Sequence, residues 1–488
     1  MTTVHDFRQD ANSHADNYRS RCKARRKADR AAVKHDNQLQ LFSSEGAARA
    51  PEGLRASPDI PKPIDQNSDH TISRYNAKLI PATQQFEDPK GWRAGHRLNL
   101  RQIQADDYEL ADRLADLLGD KDGRKLAARL KACGIEPIGD RVTMYSIGGH
   151  GYVDTETCAK VHICPVCSAK IRGRVCDRCS QWVDQYRKAG GFHSYVTLTQ
   201  PHQRDNTLRE LLDGILAGWA ACTDGDWYEY RMSQGWTNWR RYPENYREIK
   251  ARYDWDDLRT LLGIDGYLSA EEITWGAWHG WHVHRHKLFF HQHKWDAEEI
   301  AVFEAYVRRN WTRGIKAAGR GDVDQDALDF QYNIDAAEVA KYITKVQDNW
   351  TVVQEITRGD IKTGRKKNAT YFELMALYYA TGDLDIRALC DEYIKETKGM
   401  PVLRSSPGLK DKIPDAEEEK TDEELAAEDV GGNEVGWIGI PTWRKIVAKG
   451  IMHGFFLAIG LGLPTVNDFL AEYECGRAHA PEERARDG

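Results

Sequence analysis

The sequence lacks a long hydrophobic run. Its longest apolar stretch, Ile451 to Leu463, is broken by His453 and by glycines and falls short of a bilayer span, which takes about 20 apolar residues. The opening residues, MTTVHDFRQDANSH, hold no apolar core of the kind a secretory signal needs. These absences predict a cytoplasmic protein with no membrane partner. An excess of positive charge is also missing. Lys and Arg number 69 against 75 Asp and Glu, a formal net charge of −6. That excludes a binder that is basic throughout, yet not nucleic-acid binding through local patches, which depends on where the charges sit. What is present is a soluble globular composition, 41% hydrophobic and 30% charged, with 15 Trp and 21 Tyr for packing or stacking. A length of 488 residues allows about three domains.

Cysteine is unevenly spread. Of 10 in the chain, five fall between Cys158 and Cys179, in the order Cys158, Cys164, Cys167, Cys176, Cys179, with His162 among them. In a cytosolic protein two C-x2-C pairs favour a metal over disulfides, because such a pair brings two thiolates to one tetrahedral Zn²⁺. Cys164 and Cys167 are the firmest ligands and the remainder of the set is open. The competing reading is inert thiols on a helix, since Ala169 to Tyr186 has helical character.

Residues 1–90 show little periodicity and read as a disordered basic and polar arm, with a basic run at Arg19 to Lys34. Residues 91–150 form a helical accessory region, with apolar residues three and four apart in LADRLADLL and RKLAARLKAC. Residues 151–190 make the Cys-rich zinc module. Beyond it, strands are expected at Phe192 to Thr199, Glu271 to Trp275, His282 to Phe290 and Leu328 to Ile334. Helices are expected at Asn206 to Ala221, Ala297 to Gly314, Asp335 to Val346 and about Ala369 to Lys398. This alternation predicts an α+β domain over 191–413, built on a central antiparallel sheet flanked by helices. Residues 414–435 are an acidic linker not expected to pack, and 436–488 a small helical module.

Three segments carry candidate chemistry. In the first strand, alternation puts Tyr195, Thr197 and Thr199 on one face. In GWHVHRHKLFF, the same period sends His282, His284 and His286 to one face, where neutral imidazoles can share a divalent cation. In EVAKYITK, helical spacing puts Glu338 and Tyr342 on one face, with Lys345 three residues beyond the tyrosine. A tyrosine beside a cation site can attack phosphorus, and a lysine can lower its pKa or hold a phosphate oxygen. Trp275, Trp278 and Trp281 are candidates for stacking on bases, or for core packing.

In this order the segments resemble the single-tyrosine HUH endonucleases that start rolling-circle replication of plasmids, in the subgroup that uses one Tyr and one Glu. The threonine-bearing strand, GWHVHRH and AKYITK match the three motifs of that family. VHICPVCSAKI, EITWG, and the stretches FELMALYYATGD, CDEYIKETKG and LRSSPGLKDKI extend the likeness over roughly Cys158 to Ile413. The resemblance implies an HUH-like sheet with helical extensions, and a nick in one DNA strand at a plasmid origin through a 5′-phosphotyrosine on Tyr342. His284, His286 and Glu272 would hold Mg²⁺ or Mn²⁺, with His282 as an alternative or auxiliary ligand. Lys345 would assist the tyrosine, and Glu338 would activate the water of the terminating cleavage. Partners implied are single-stranded and duplex origin DNA, and a host helicase and polymerase. The middle position of the histidine pair is normally a bulky hydrophobe in this family; here it is Arg285 if the pair is His284 and His286. Relaxases usually place their tyrosine ahead of the histidines, which argues against one. A single-strand transposase, a non-enzymatic zinc-dependent DNA-binding regulator and a plain metallohydrolase are the other readings.

Overall fold

The computed structural model describes residues 100–481, apart from 102, 106, 108, 148, 325–326, 335–367 and 429–430. Helices α1 (Leu110–Leu118) and α2 (Asp120–Ala132) form a hairpin. At Gly119 φ is +89°, a backbone region that favours glycine, and there the chain turns. The two helices touch so closely that a Cβ on Gly123 would meet the Leu114 carbonyl oxygen at 2.0 Å. Strands β1 (Arg141–Ile147) and β2 (His150–Val153) follow, then the long helix α3 (Pro165–Lys188). The helical accessory region expected at 91–150 thus also contains strands: RVTMYSI holds three β-branched residues and a tyrosine, and is too short to show a period against its helical neighbours.

Strand β3 (Phe192–Leu198) leads into α4 (Leu208–Asp224), which a Thr207–Glu210 capping box starts. Three short helices, α5 (Trp227–Ser233), α6 (Tyr246–Ala251) and α7 (Trp255–Leu261), precede a long hairpin of β4 (Ile264–Gly276) and β5 (Gly280–His291). Helix α8 (Ala297–Ala317) opens with an Asp296–Glu299 capping box, and β6 (Leu328–Gln331) returns to the sheet. After β7 (Asn368–Ala369) come α9 (Tyr371–Thr381), α10 (Leu384–Glu396), β8 (Arg404–Ser405) and α11 (Asp422–Ala427). Last are β9 (Asn433–Gly439), α12 (Ile440–Ala448), α13 (Met452–Leu461) and α14 (Leu463–Glu472). The fold is therefore mixed helix and antiparallel sheet. Among the described residues no helix is long and apolar enough to cross a membrane.

The main sheet runs β6-β3-β5-β4-β7, with β8 also paired to β4, and every pairing is antiparallel. Its two faces have different fates. On one, Val196, Leu198, Val283 and Phe289 pack under α4 and α8, against Leu211, Ile215, Phe303 and Trp311. On the other, Tyr195, Leu268, Leu288 and Phe290 pack under the C-terminal half of α3, against Trp182 and Tyr186. Burial of each such Leu or Phe stabilises the fold by about 1.5–3 kcal/mol. The apolar part of this second face ends at Leu288; the next residues on it along β5 are His286, His284 and His282, on a register fixed by Thr197 opposite His286.

A smaller sheet, β2-β1-β9, packs under α12, α13 and α14 around Val142, Met144, Ile438, Trp443 and Phe455. The C-terminal module expected at 436–488 as helices alone thus begins with a strand and is completed by residues from before the cysteine cluster. The acidic segment expected not to pack does so in part. A Thr421–Glu424 capping box starts α11, and Leu425 and Ala426 bury against α3. Lys170 donates to the Ala426 carbonyl, and Arg174 pairs with Glu428 at 3.3 Å. Two apolar side chains within a run of carboxylates suffice because α3 supplies the cations.

Candidate functional site

The hairpin β4–β5 brings Glu272 directly opposite His284, and Thr274 opposite His282. Diagonally, Glu272 Oε2 lies 3.0 Å from His286 Nε2. The other nitrogen of that ring, Nδ1, is 2.6 Å from the Tyr195 hydroxyl and 3.3 Å from Thr197 Oγ1, both reached from β3. His286 is therefore held at both nitrogens and is 3% exposed. His284 Nε2 stands 3.4 Å from His282 Nδ1, and the His282 ring stacks on His202, centroids 4.5 Å apart. Burial, with a smaller contribution from His202, pushes the His282 imidazole down to about 4, which keeps it neutral, the form that can donate a lone pair. The four expected ligands, His282, His284, His286 and Glu272, thus share one face. No three of their donor atoms fall within 4.8 Å of one another, as those of a cysteine group elsewhere in the chain do.

Between the histidines, alternation turns Arg285 to the opposite face, beneath α4, where it is 5% exposed. Its Nη2 and Nε bond to Glu271 Oε1 at 2.5 and 3.1 Å, and its Nη1 donates to the Ile215 carbonyl at 3.4 Å. Arg404 of β8 adds bonds of 2.5 and 2.6 Å to the same carboxylate. Burial alone would raise the Glu271 carboxyl, but the Arg285 and Arg404 guanidiniums outweigh it and hold the group below its ordinary range. Two adjacent glutamates accordingly do different work: Glu271 neutralises the buried Arg285 together with the half-exposed Arg404, and Glu272 faces the histidines. Arg285 is thus accommodated by an ion triad with Glu271 and Arg404 in place of an apolar contact.

Trp281, a candidate for stacking, is 2% exposed and donates its indole N–H to Glu392 at 2.7 Å, so it is a core residue. Trp275 pairs with it across the hairpin, partly buried against the same core, and Trp278 at the turn is 54% exposed. Tyr342, Glu338 and Lys345 lie outside the described residues, as does the basic run Arg19 to Lys34.

The cysteines gather differently from the expectation. Cys133, Cys158, Cys164 and Cys167 form one buried group, their sulfurs all within 4.8 Å of one another. Sγ of Cys133 is 3.7 Å from that of Cys164 and 3.5 Å from that of Cys167, which is 3.6 Å from that of Cys158. Four thiolates about 2.3 Å from a tetrahedral zinc would stand about 3.8 Å apart. The residues therefore fit a structural metal such as zinc. Cys164 caps α3 and Cys167 lies in its first turn, where the helix dipole favours thiolate. Hydrogen bonds from Cys158, Cys164 and Cys167 hold the Cys133 thiol well below its ordinary value, and the same bonds to Cys133 hold the thiols of Cys158 and Cys164 well above theirs, so that without an ion the group concentrates its charge on one sulfur.

Cys176 and Cys179 do not join this group. They lie nine and twelve residues beyond Cys167 on the same helix, about 13 and 18 Å along its axis, and bury under the main sheet instead. Cys133, the missed ligand, stands just past α2, 25 positions before Cys158 and beyond the reach of any local spacing rule. Its one signal in the sequence was a lone cysteine closing an amphipathic helix. Tyr195 was legible only as a member of the Thr197 face.

No family model matches the chain, and no solved structure matches it. Curated proteins to which it is similar include "Protein rep" of Streptomyces lividans, 28% identical over 242 residues, 45% of this chain and 52% of the relative. Another is "Neomycin resistance protein" of Streptomyces cyanogenus, 26% identical over 137 residues, 27% of this chain and 29% of the relative. The chain thus spans about half the length of the first and under a third of the second.

Proposed function

We propose that this chain initiates rolling-circle replication of a plasmid, by nicking and rejoining one DNA strand at the origin. The similarity to a protein named rep supports the replication role. The observation that carries the chemistry is the pairing of His286 with Glu272 at 3.0 Å on a face shared with His284 and His282. That spacing suits two neighbouring donors about 2.1 Å from an octahedral ion. Mg²⁺ or Mn²⁺ held by His284, His286 and Glu272, with His282 auxiliary, would polarise the scissile phosphate and offset charge on its oxygens.

The side chains supply the remainder. For Nε2 of His286 to offer its lone pair, its proton must sit on Nδ1, which then donates to the Tyr195 oxygen; the tyrosine so fixes tautomer and ring orientation. The Tyr342 phenolate attacks phosphorus; the new P–O bond forms as the bond to the 3′ oxygen breaks, leaving a 5′-phosphotyrosine and a 3′-OH that primes a polymerase. Lys345 lowers the phenol pKa or holds a phosphate oxygen. Glu338 takes a proton from the water that ends the cycle, so no second tyrosine is required. The cysteine centre stabilises the start of α3, the helix that roofs the neighbouring part of the histidine face. Origin DNA is the substrate, a host helicase and polymerase are partners, and the site of action is the cytoplasm.

The test incubates wild type and Tyr342→Phe with single-stranded fragments tiling the parent replicon, with Mn²⁺ or Mg²⁺, and resolves them on denaturing gels. A metal-dependent, SDS-resistant protein–DNA adduct that Tyr342→Phe abolishes is expected. Glu338→Ala should still nick but fail to terminate. Cleavage without an adduct, unchanged in Tyr342→Phe, leaves a metallohydrolase. No cleavage of any fragment by metal-loaded protein leaves a zinc-dependent DNA-binding regulator, a reading the cysteine centre favours.

A further inference from the structure

Between α4 and α7 the chain makes an excursion, residues 227–253, that neither sheet requires. It holds eight aromatic residues, Trp227, Tyr228, Tyr230, Trp236, Trp239, Tyr242, Tyr246 and Tyr253, and none of them is buried. Rings of this size normally dominate a core. Here they lean on one another instead: Tyr230 stacks on Tyr253 with centroids 3.7 Å apart, and Trp227 meets Tyr242 edge-on at 5.7 Å. The outermost are open to solvent, Trp239 at 74% exposure and Tyr228 at 50%.

The charge of the excursion is opposite to that of the chain. Six Lys and Arg face three Glu, in a protein whose formal net charge is −6. Arg240 lies over the Trp239 ring at 5.6 Å and Arg231 over Tyr228 at 4.9 Å. The guanidiniums of Arg231 and Arg241 each donate to a neighbouring carbonyl, of Trp236 at 3.1 Å and of Gly235 at 3.3 Å. None of the three forms an ion pair among the described residues. The base, by contrast, is pinned. Arg309 grips Asp226 through two bonds of 2.9 Å, the Asp226 amide donates to the Tyr253 carbonyl at 2.8 Å, and the same guanidinium caps the Tyr253 ring at 4.4 Å.

We infer that this excursion is a second contact surface for single-stranded DNA, apart from the histidine face. Exposed rings with unpaired arginines over them suit a single strand: splayed bases stack on the rings while the guanidiniums meet phosphates. A duplex hides its base faces, and a protein partner of ordinary composition offers no such row of anions. The placement follows from α4. Its first residue is tied beside the start of β5, since Leu208 N–H and the Trp281 indole both donate to Glu392. Its 17 residues then run about 25 Å to the excursion. A strand engaged at both places would be held taut over that span while the nick is made. The inference deepens the nicking proposal and rests on it for the identity of the strand.

Fluorescence anisotropy without added Mg²⁺ or Mn²⁺ and without a chelator, so that the cysteine centre keeps its metal, with labelled single-stranded origin fragments and the same sequences as duplex, tests it without any cleavage. Failure of nicking therefore leaves this test intact. Tyr228→Ala with Trp239→Ala should weaken single-strand binding about ten-fold or more, Trp239→Phe should restore most of the Trp239 share, and duplex affinity should change little. Arg240→Gln with Arg241→Gln should lower the slope of log affinity against log salt by about 1.4. Circular dichroism and thermal melting check that the variants fold; the exposed positions make wild-type stability the expected result. Single-strand binding equal to wild type in both folded double variants overturns the proposal and leaves the surface to a protein partner, and an equal loss on duplex overturns the assignment to single strands.

Discussion

The Tyr195 hydroxyl lies 2.6 Å from Nδ1 of His286, on the side of the ring away from Glu272. A tyrosine so placed orients the imidazole rather than binding an ion itself. Tyr195→Phe is expected to weaken Mn²⁺ binding about ten-fold, the low end for loss of such a partner, because Thr197 Oγ1 remains 3.3 Å from the same nitrogen. Calorimetric titration with Mn²⁺ measures it, and the Tyr195→Phe, Thr197→Val double variant should lose more. Equal affinity in wild type and double variant would show that the hydroxyls are structural only.

Adjacent glutamates should fail in opposite ways. Glu271→Gln leaves Arg285, 5% exposed, without its counter-charge and should cost about 3–5 kcal/mol in urea unfolding. Glu272→Gln lies on the partly open histidine face, and should leave stability within about 0.5 kcal/mol while abolishing binding of the divalent ion. Exchange of these two outcomes would mean that the faces of β4 are assigned the wrong way round.

Removal of one thiol distinguishes the two cysteine sets. Cys133→Ser should release bound zinc and lower the melting temperature, and a chelator should do the same to wild type. Cys176→Ser, under the main sheet, should retain a full equivalent of metal by mass spectrometry. Zinc loss in Cys176→Ser with retention in Cys133→Ser would reverse the ligand assignment.

Acid should destabilise the fold through buried imidazoles at the other end of the sheet. Burial depresses His193 to about 3 and His291 to about 4. Unfolded, both return to about 6.5. The unfolded chain therefore binds more protons below pH 6.5, and stability present above that pH is lost as pH falls towards the folded values. Each contributes a loss of about 1.4 kcal/mol per pH unit in that window. Neither ring nitrogen of His193 has a hydrogen-bond partner among the described residues. His193→Leu should thus flatten the decline in urea midpoint between pH 6.5 and 4.5, without loss at pH 8. An unchanged slope would place the proton uptake elsewhere.

Much of the histidine face was legible because period-2 alternation in a strand is local: a run of seven residues, GWHVHRH, fixes which side chains share a side. The same logic placed Glu272 with the histidines once β4 paired with β5. What could not be read was anything set by long-range approach. Cys133 enters the cysteine group from the end of another helix, Tyr195 reaches His286 from the paired strand 91 positions earlier, and Arg404 meets Glu271 from 133 positions away. Cys176 and Cys179 misled for a related reason. Their spacing is that of a metal pair in a loop, but a continuous helix carries them more than two turns from the site. Leu425 and Ala426 were hidden by the carboxylates around them.

The small sheet sets a constraint in time. Strand β1 has one neighbour close behind it, β2, but its other partner is distant: Ser146 pairs with Asn433, 287 positions later. At about 5–20 residues per second, a ribosome takes roughly 15–60 s to deliver that partner. During this interval Val142 and Met144 have no Ile438 to lie beside and no Trp443 above them, and one edge of β1 is open to any strand that arrives first. The main sheet, whose central strands β3, β4 and β5 fall within 100 residues, can assemble while the nascent chain still waits to close its ends.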